Sequence, residues 1–232
     1  MMKKLMWLVV VISVVITAFA VQFMPDMVPM HYNMEGEIDR WGSKYEEFIF
    51  PAIIVGMSFF WQVFVGYFEK KAHKTDNDKE RAEAESNGKV IKITAVATNI
   101  MFTIMQCFFL YGSFVEAESN ATHAAMDIGK VSGVLLGLLF IVLGNFMPKA
   151  RRNSALGVRT TWSMYNDVTW MKGNRLGAVL FVVVGVLDIV TAFLVESNMA
   201  TVLMLVYLVI MAVGITVYSY KVYKAEISKT NI

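Results

Sequence analysis

The stretch Leu176-Gly177-Ala178-Val179-Leu180-Phe181-Val182-Val183-Val184-Gly185-Val186-Leu187-Asp188-Ile189-Val190-Thr191-Ala192-Phe193-Leu194-Val195 decides the fold. It carries one charged residue, Asp188, in a run as long as the roughly 20 residues of helix that a hydrocarbon core takes to cross. Five further runs have the same character: 5–23, 48–68, 93–114, 131–147 and 199–220. Of the 232 residues, 56% are hydrophobic and 17% charged, against about 25% charged in soluble domains. No soluble domain has a core thick enough for six such runs, so a soluble enzyme, a disordered chain and a nucleic-acid-binding protein are excluded. A segment in lipid must satisfy its own backbone hydrogen bonds, which makes each run a helix. The runs are too long and too evenly apolar for barrel strands. The fold class is all-α integral membrane, with six transmembrane helices.

Lys3 and Lys4 before the first run, and Ala18-Phe19-Ala20 near its end, resemble a signal peptide. The run exceeds the usual 7–15-residue signal core, so a retained helix is expected. The distribution of Lys and Arg sets the orientation. With the N-terminus inside, eighteen of the 21 basic residues fall on inner segments, and only Arg40, Lys44 and Lys130 fall outside. This predicts N-in/C-in topology. By chain order, residues 1–68 form a two-helix unit with a shaped outer loop, 69–92 a charged cytoplasmic loop, and 93–232 a four-helix unit carrying a cytoplasmic Arg/Trp loop at 148–175. The lone cysteine, Cys107, permits no intramolecular disulfide.

Two loops carry the informative polar residues. The outer one runs Met24-Pro25-Asp26-Met27-Val28-Pro29-Met30-His31-Tyr32-Asn33-Met34-Glu35-Gly36-Glu37-Ile38-Asp39-Arg40-Trp41-Gly42-Ser43-Lys44. Its prolines favour an extended or turned entry, and its glycines supply turns. Met27, Met30, Tyr32, Met34 and Ile38 are too apolar for a loose linker and suit a lid or a membrane-surface contact. His31 and Glu35 are a weak metal candidate, since their spacing matches no established motif.

The inner loop packs Asn153, Gly157, Arg159, Thr160, Trp162, Asn166, Trp170 and Arg175 into one stretch after Asn145. Lipid anchoring asks only for scattered basic and aromatic residues. This density points to specific recognition or folding. With Ser163 as N-cap, a helix from Ser163 to Arg175 would place Trp162, Asn166, Trp170 and Asn174 on one face.

These residues resemble a family. The block from Gly144-Asn145 through Gly157-Val158-Arg159-Thr160 to Trp162, Trp170 and Arg175 is similar to the signature of the SdpI-type immunity proteins, bacterial membrane proteins that protect cells from a secreted peptide toxin. The outer block Pro25…Pro29-Met30-His31-Tyr32-Asn33…Gly36…Gly42-Ser43-Lys44 resembles the domain of unknown function that commonly precedes that signature. Thr161 stands where the family often has proline, and Asn174 where it often has histidine. The resemblance implies a non-enzymatic immunity protein of the bacterial cell membrane. Pro25, Pro29, His31, Asn33, Gly36 and Lys44 would contribute to toxin capture, and the inner block would be a switch or docking site. For some members it also implies signalling, in which the occupied protein holds a transcriptional repressor at the membrane. Anionic lipid is the expected partner of the inner basic residues, and no nucleic acid or cofactor is implied.

Asp188 is the one acid well inside a span. A charge there costs at least about 2.5–3.5 kcal/mol, so it should face the bundle, protonated or paired. Asn99, Gln106 and Asn145 are the candidate partners. An ion-coupled transporter or channel using Asp188 is the alternative function, and a membrane enzyme inactivating the toxin through His31 and nearby acids is a second. Gly129, Gly133, Gly137 and Gly144 form a small-residue stripe suited to close helix contact.

Overall fold

The computed structural model describes residues 1–33 and 35–230. Met34, counted above among the apolar loop residues, lies outside the described residues. The order of elements is α1 (Met2–Ala20), β1 (Met27–Tyr32), β2 (Ile38–Ser43), α2 (Ile49–Lys74), α3 (Asp78–Ser119), α4 (Ile128–Phe146), α5 (Asp167–Leu194) and α6 (Ser197–Thr230). Short 3-10 turns at Lys44–Phe48 and Met147–Lys149 lead into α2 and out of α4. Among the described residues, six helices are long and apolar enough to cross a membrane, one for each run in the sequence.

Several helices overrun their apolar cores. At 42 residues and 1.5 Å per residue, α3 is about 63 Å long, roughly twice the hydrocarbon thickness. The charged segment 69–92 is therefore largely helical: α2 continues to Lys74, and α3 begins at Asp78. The break between them is set locally. Asn77 caps α3 by accepting the N–H groups of Lys79 and Glu80, with Asp78 and Glu80 in the first turn, where negative charge complements the helix dipole. Asn120 ends α3 in the left-handed conformation with φ 50°, which asparagine tolerates better than most residues.

α3 packs along α1 and α2, and α4, α5 and α6 pack on one another, with α3 also meeting α4. The first group is joined by buried polar bonds. The Ser13 hydroxyl donates to Gln106 Oε1 at 2.5 Å, and Gln106 Nε2 donates to the Ser13 carbonyl and the Thr17 hydroxyl. Asn99 Nδ2 donates to Ser58 Oγ at 2.6 Å. At one end of the bundle, Glu69 on α2 binds Lys3 of α1 and Lys92 of α3. In the second group the glycine stripe of α4 faces α5. A Cβ on Gly137 would strike the Gly185 carbonyl and Ile189, and one on Gly144 would strike the Ala178 carbonyl. The stripe thus serves an internal contact in which the two backbones nearly touch.

The outer loop is an antiparallel hairpin. Pro29 sits opposite Trp41, and the register is irregular at His31. Asn33 organises its turn: its side-chain oxygen accepts the N–H groups of Glu35 and Glu37, and Gly36 takes φ +80°.

Candidate functional site

The inner block is a folded structure built around the first turns of α5. Ser163 is not the helix N-cap expected from sequence. α5 starts at Asp167, and Asn166 caps it in a reciprocal pair with Thr169. Both serine and asparagine satisfy the local capping rule, and tertiary demand decided between them. The Ser163 hydroxyl is committed to the Val158 carbonyl at 2.7 Å and accepts the Thr160 N–H at 2.9 Å. The expected single face of Trp162, Asn166, Trp170 and Asn174 is corrected accordingly. Trp162 lies before the helix, edge-on to Tyr220 of α6 with ring centroids 5.1 Å apart, and Asn166 is the cap. Trp170 and Asn174 do share a buried face.

That face organises the loop. Trp170 is 3% exposed, and its indole N–H donates to the Ala150 carbonyl at 2.9 Å. Asn174 accepts the Val158 N–H at 2.9 Å and donates to the Trp170 carbonyl at 3.0 Å. Gly157, at φ +92°, lets the chain pass between them, because a Cβ there would meet the Asn174 carboxamide and the Trp170 ring. Asn153 closes a turn by accepting the N–H groups of Ala155 and Leu156. Thr160 returns a bond to the Ser163 N–H. α3 supplies the other wall: Asn87 accepts the Arg151 N–H at 2.8 Å, and Ser86 donates to the Lys149 carbonyl at 2.7 Å. Arg152 straps the loop to the Met164 and Tyr165 carbonyls and to Asp167.

The block therefore divides in two. Asn153, Gly157, Thr160, Asn166 and Trp170 hold the loop together. Arg159 and Arg175 are exposed and make no ion pair among the described residues. Asn145 is also exposed on α4, where its Nδ2 donates to the Ile141 carbonyl.

At the other end of the bundle, the hairpin is clamped to the α3–α4 connection. Tyr32 donates its hydroxyl to Glu116 Oε2 at 2.6 Å, and the Ala125 N–H donates to the other carboxylate oxygen at 2.6 Å. Ile38 N–H reaches the Thr122 carbonyl and Ala124 N–H the Gly36 carbonyl, both at 2.8 Å. His123 meets Glu37 at 3.8 Å. Val28 is buried in a cluster with Val21, Met24, Leu110 and Ala117. Burial, reinforced by the Glu116 carboxylate, pushes the Tyr32 phenol above its ordinary range. Lys44 fixes the base of the hairpin through Asp26 and the Met24 carbonyl.

Of the outer candidates, Pro29 is buried in β1, Pro25 is half-buried, and Asn33 and Gly36 form the turn. His31 is exposed, with Nδ1 2.6 Å from Asp39 Oδ1. Among the described residues no group of three His, Cys, Asp or Glu side chains is placed to hold a metal ion. The inner and outer candidates remain at opposite ends of the bundle, since α5 runs from Asp167 in the block to Leu194 at the hairpin end. Glu116 and Asn87 were missed from sequence. Each looked like one more polar residue near a loop, and their partners lie 84 and 64 positions away in the chain.

Within the spans, the expected partners of Asp188 are engaged elsewhere. Asn99 bonds Ser58, Gln106 bonds Ser13 and Thr17, and Asn145 bonds its own helix. Asp188 is 2% exposed, and neither carboxylate oxygen has a hydrogen-bond partner among the described residues.

The inner loop and the first turns of α5 fall within residues 149–219, which match the SdpI/YfhL protein family. Residues 8–55, covering most of α1, the hairpin and the start of α2, match a domain of unknown function, DUF1648. The chain is similar to Immunity protein SdpI of Bacillus subtilis (strain 168), with 32% identity over 100 residues, 43% of this chain and 47% of that protein. It thus spans about half the length of the curated relative it matches. No solved structure matches the chain. The match to the SdpI/YfhL family and the six helices long and apolar enough to cross a membrane support a multi-pass protein of the bacterial membrane. Trp170, Asn174, α5 and the greater part of α6 lie within the matched residues.

Proposed function

We propose that the protein is a membrane immunity protein that gives resistance to a secreted antimicrobial peptide toxin. The observation that carries this reading is the similarity to Immunity protein SdpI. It is supported by the inner block, a loop held by directional bonds where scattered basic residues would have sufficed for lipid anchoring. In this reading the termini face the cytoplasm, as the eighteen inner basic residues direct. The hairpin then faces the toxin, with His31 and Asn33 at its surface.

Arg159 and Arg175, exposed like Lys149, Arg151 and Arg152, contribute to a docking face toward a cytoplasmic partner, a transcriptional repressor in the signalling version. Occupancy by toxin can signal only by binding two arrangements of the bundle unequally. α5 gives a direct mechanical route, because it reaches from the block to the hairpin end. The test is expression in toxin-sensitive cells. Protection is expected, and unchanged killing with the protein correctly inserted overturns the reading. Recovery of intact peptide after incubation with the purified protein would separate binding from enzymatic destruction.

A further inference from the structure

The charged segment 69–92 folds around a cleft of about 600 Å³ between the last turns of α2 and the first turns of α3. The helices leave this space because Ala72, Ala84 and Gly88 project little or no side chain into it, beside the buried Phe68. Its walls are charged. Arg81, Glu85, Lys89 and Lys92 line it from α3, at intervals of four, four and three that put them on one face. Glu69 and His73 line it from α2.

These charges are not equivalent. Glu69 is already neutralised twice over: Lys3 of α1 bonds one carboxylate oxygen, and Lys92 bonds the other at 2.8 Å. An ammonium has three donors, so Lys92 keeps two for the cleft. Arg81 spends two of its five donors on Asp78 at 3.5 Å and the Thr75 carbonyl at 3.1 Å. Lys89 is exposed and makes no ion pair among the described residues. Counting Lys3, four cations face the two carboxylates Glu69 and Glu85, an excess of two positive charges. A hard metal cation takes six or more oxygens, and with Glu69 closed by lysines only Glu85 remains to offer any. The lining is therefore built for an anion.

We propose that this cleft binds a phosphate monoester, with the phosphate between Lys89 and Lys92 and the organic part along the cleft toward Arg81. A phosphate monoester carries close to two negative charges at neutral pH, which match the excess in the cleft. Lysine ammoniums hold phosphate as point charges, and Lys89 and Lys92 are neighbours at i,i+3. The volume exceeds what a bare phosphate needs. Lys92 borders the apolar run at 93–114, so both lysines stand within about 5 Å of the hydrocarbon edge at 1.5 Å per residue, inside the headgroup layer. Arg81 stands about 16 Å from that edge, beyond the headgroups. The phosphate can thus come from a lipid headgroup of the phosphatidic acid type or from a soluble phosphorylated metabolite. The inference is independent of immunity, and its test uses neither toxin nor cells.

The experiment is calorimetric titration of glycerol 3-phosphate into the full chain in phosphatidylcholine nanodiscs, which carry no net lipid charge. Saturable 1:1 binding is expected. Lys89→Gln, at an exposed and unpaired position, should keep its melting temperature and bind at least about tenfold more weakly, the usual effect of losing a charged hydrogen bond. Glu85→Gln should bind more tightly, because it removes the free acid from the wall. Lys221→Gln makes the same charge change at an exposed position on α6 and should bind as wild type. Absence of saturable binding, equal binding by Lys89→Gln, weaker binding by Glu85→Gln, or an equal loss in Lys221→Gln overturns the proposal. Phosphatidic acid added to the discs distinguishes the sources, with phosphatidylglycerol at matched charge as the baseline for surface repulsion. Competition beyond that baseline assigns the phosphate to a headgroup, and binding at the baseline assigns it to a soluble metabolite.

Discussion

Tyr32 and Glu116 stand 84 positions apart in the chain and share a 2.6 Å hydrogen bond that ties the hairpin to the end of α3. The same carboxylate accepts the Ala125 N–H, so one buried acid joins β1, α3 and the segment entering α4. Removing the phenolic hydroxyl leaves that carboxylate short of a donor. Tyr32→Phe is expected to destabilise the hairpin by about 1–3 kcal/mol, the usual cost of an unsatisfied buried partner. Amide exchange should quicken over Met27–Ser43 and 121–125 while the spans keep their protection.

The same contact gives the hairpin a pH dependence. The Tyr32 phenol is held above its ordinary range by burial and by Glu116. Below about pH 10 the phenol is neutral in both folded and unfolded chains, and its contribution to stability is complete. Above that value the unfolded phenol ionises first, and the contribution falls until the folded phenol ionises as well. Ultraviolet titration should show one tyrosine ionising later than free tyrosine. Tyr32→Phe should remove the alkaline loosening of the hairpin. A titration identical in wild type and variant counts against the clamp.

Gly157 has no room for a side chain. Its φ of +92° is strained for an L residue, and an added Cβ would come within 3.0 Å of the Trp170 ring. Gly157→Ala should destabilise the inner block by about 1–3 kcal/mol. Proteolysis of the loop at 150–165 should become faster, with helix content unchanged. A variant as resistant as wild type would show that the loop is not packed on Trp170.

Two substitutions separate structure from recognition in the inner block. Trp170→Ala removes a buried indole and its bond to Ala150, at about 3–5 kcal/mol, and should lose protection together with the loop fold. Arg159→Ala removes an exposed cation and should leave thermal stability within about 0.5 kcal/mol while abolishing protection. Normal protection by a folded Arg159→Ala variant would remove Arg159 from the docking face.

Much of the architecture is written in local chemistry. The six spans follow from apolar run length, because lipid allows a single segment few structures besides a helix. The turn at Asn33–Gly36 and the density of the inner block were also readable, since turn residues and clustered Asn, Trp and Arg act at short range. Capping was only half readable. Ser163 and Asn166 both qualify as caps, and the difference lies in the Val158 carbonyl that claims the Ser163 hydroxyl.

By itself, then, the sequence determined six membrane helices, a shaped outer loop, a dense inner loop and a buried acid at Asp188. Only the tertiary structure decided what those polar groups meet. It placed Glu116 under Tyr32, Asn87 against Arg151, and Asn99 and Gln106 on partners other than Asp188. The physical reason is the range of the forces. Hydrophobic length and backbone satisfaction act within one segment, whereas a buried polar partner is chosen by which helix faces pack together, and those faces come from residues far apart in the chain.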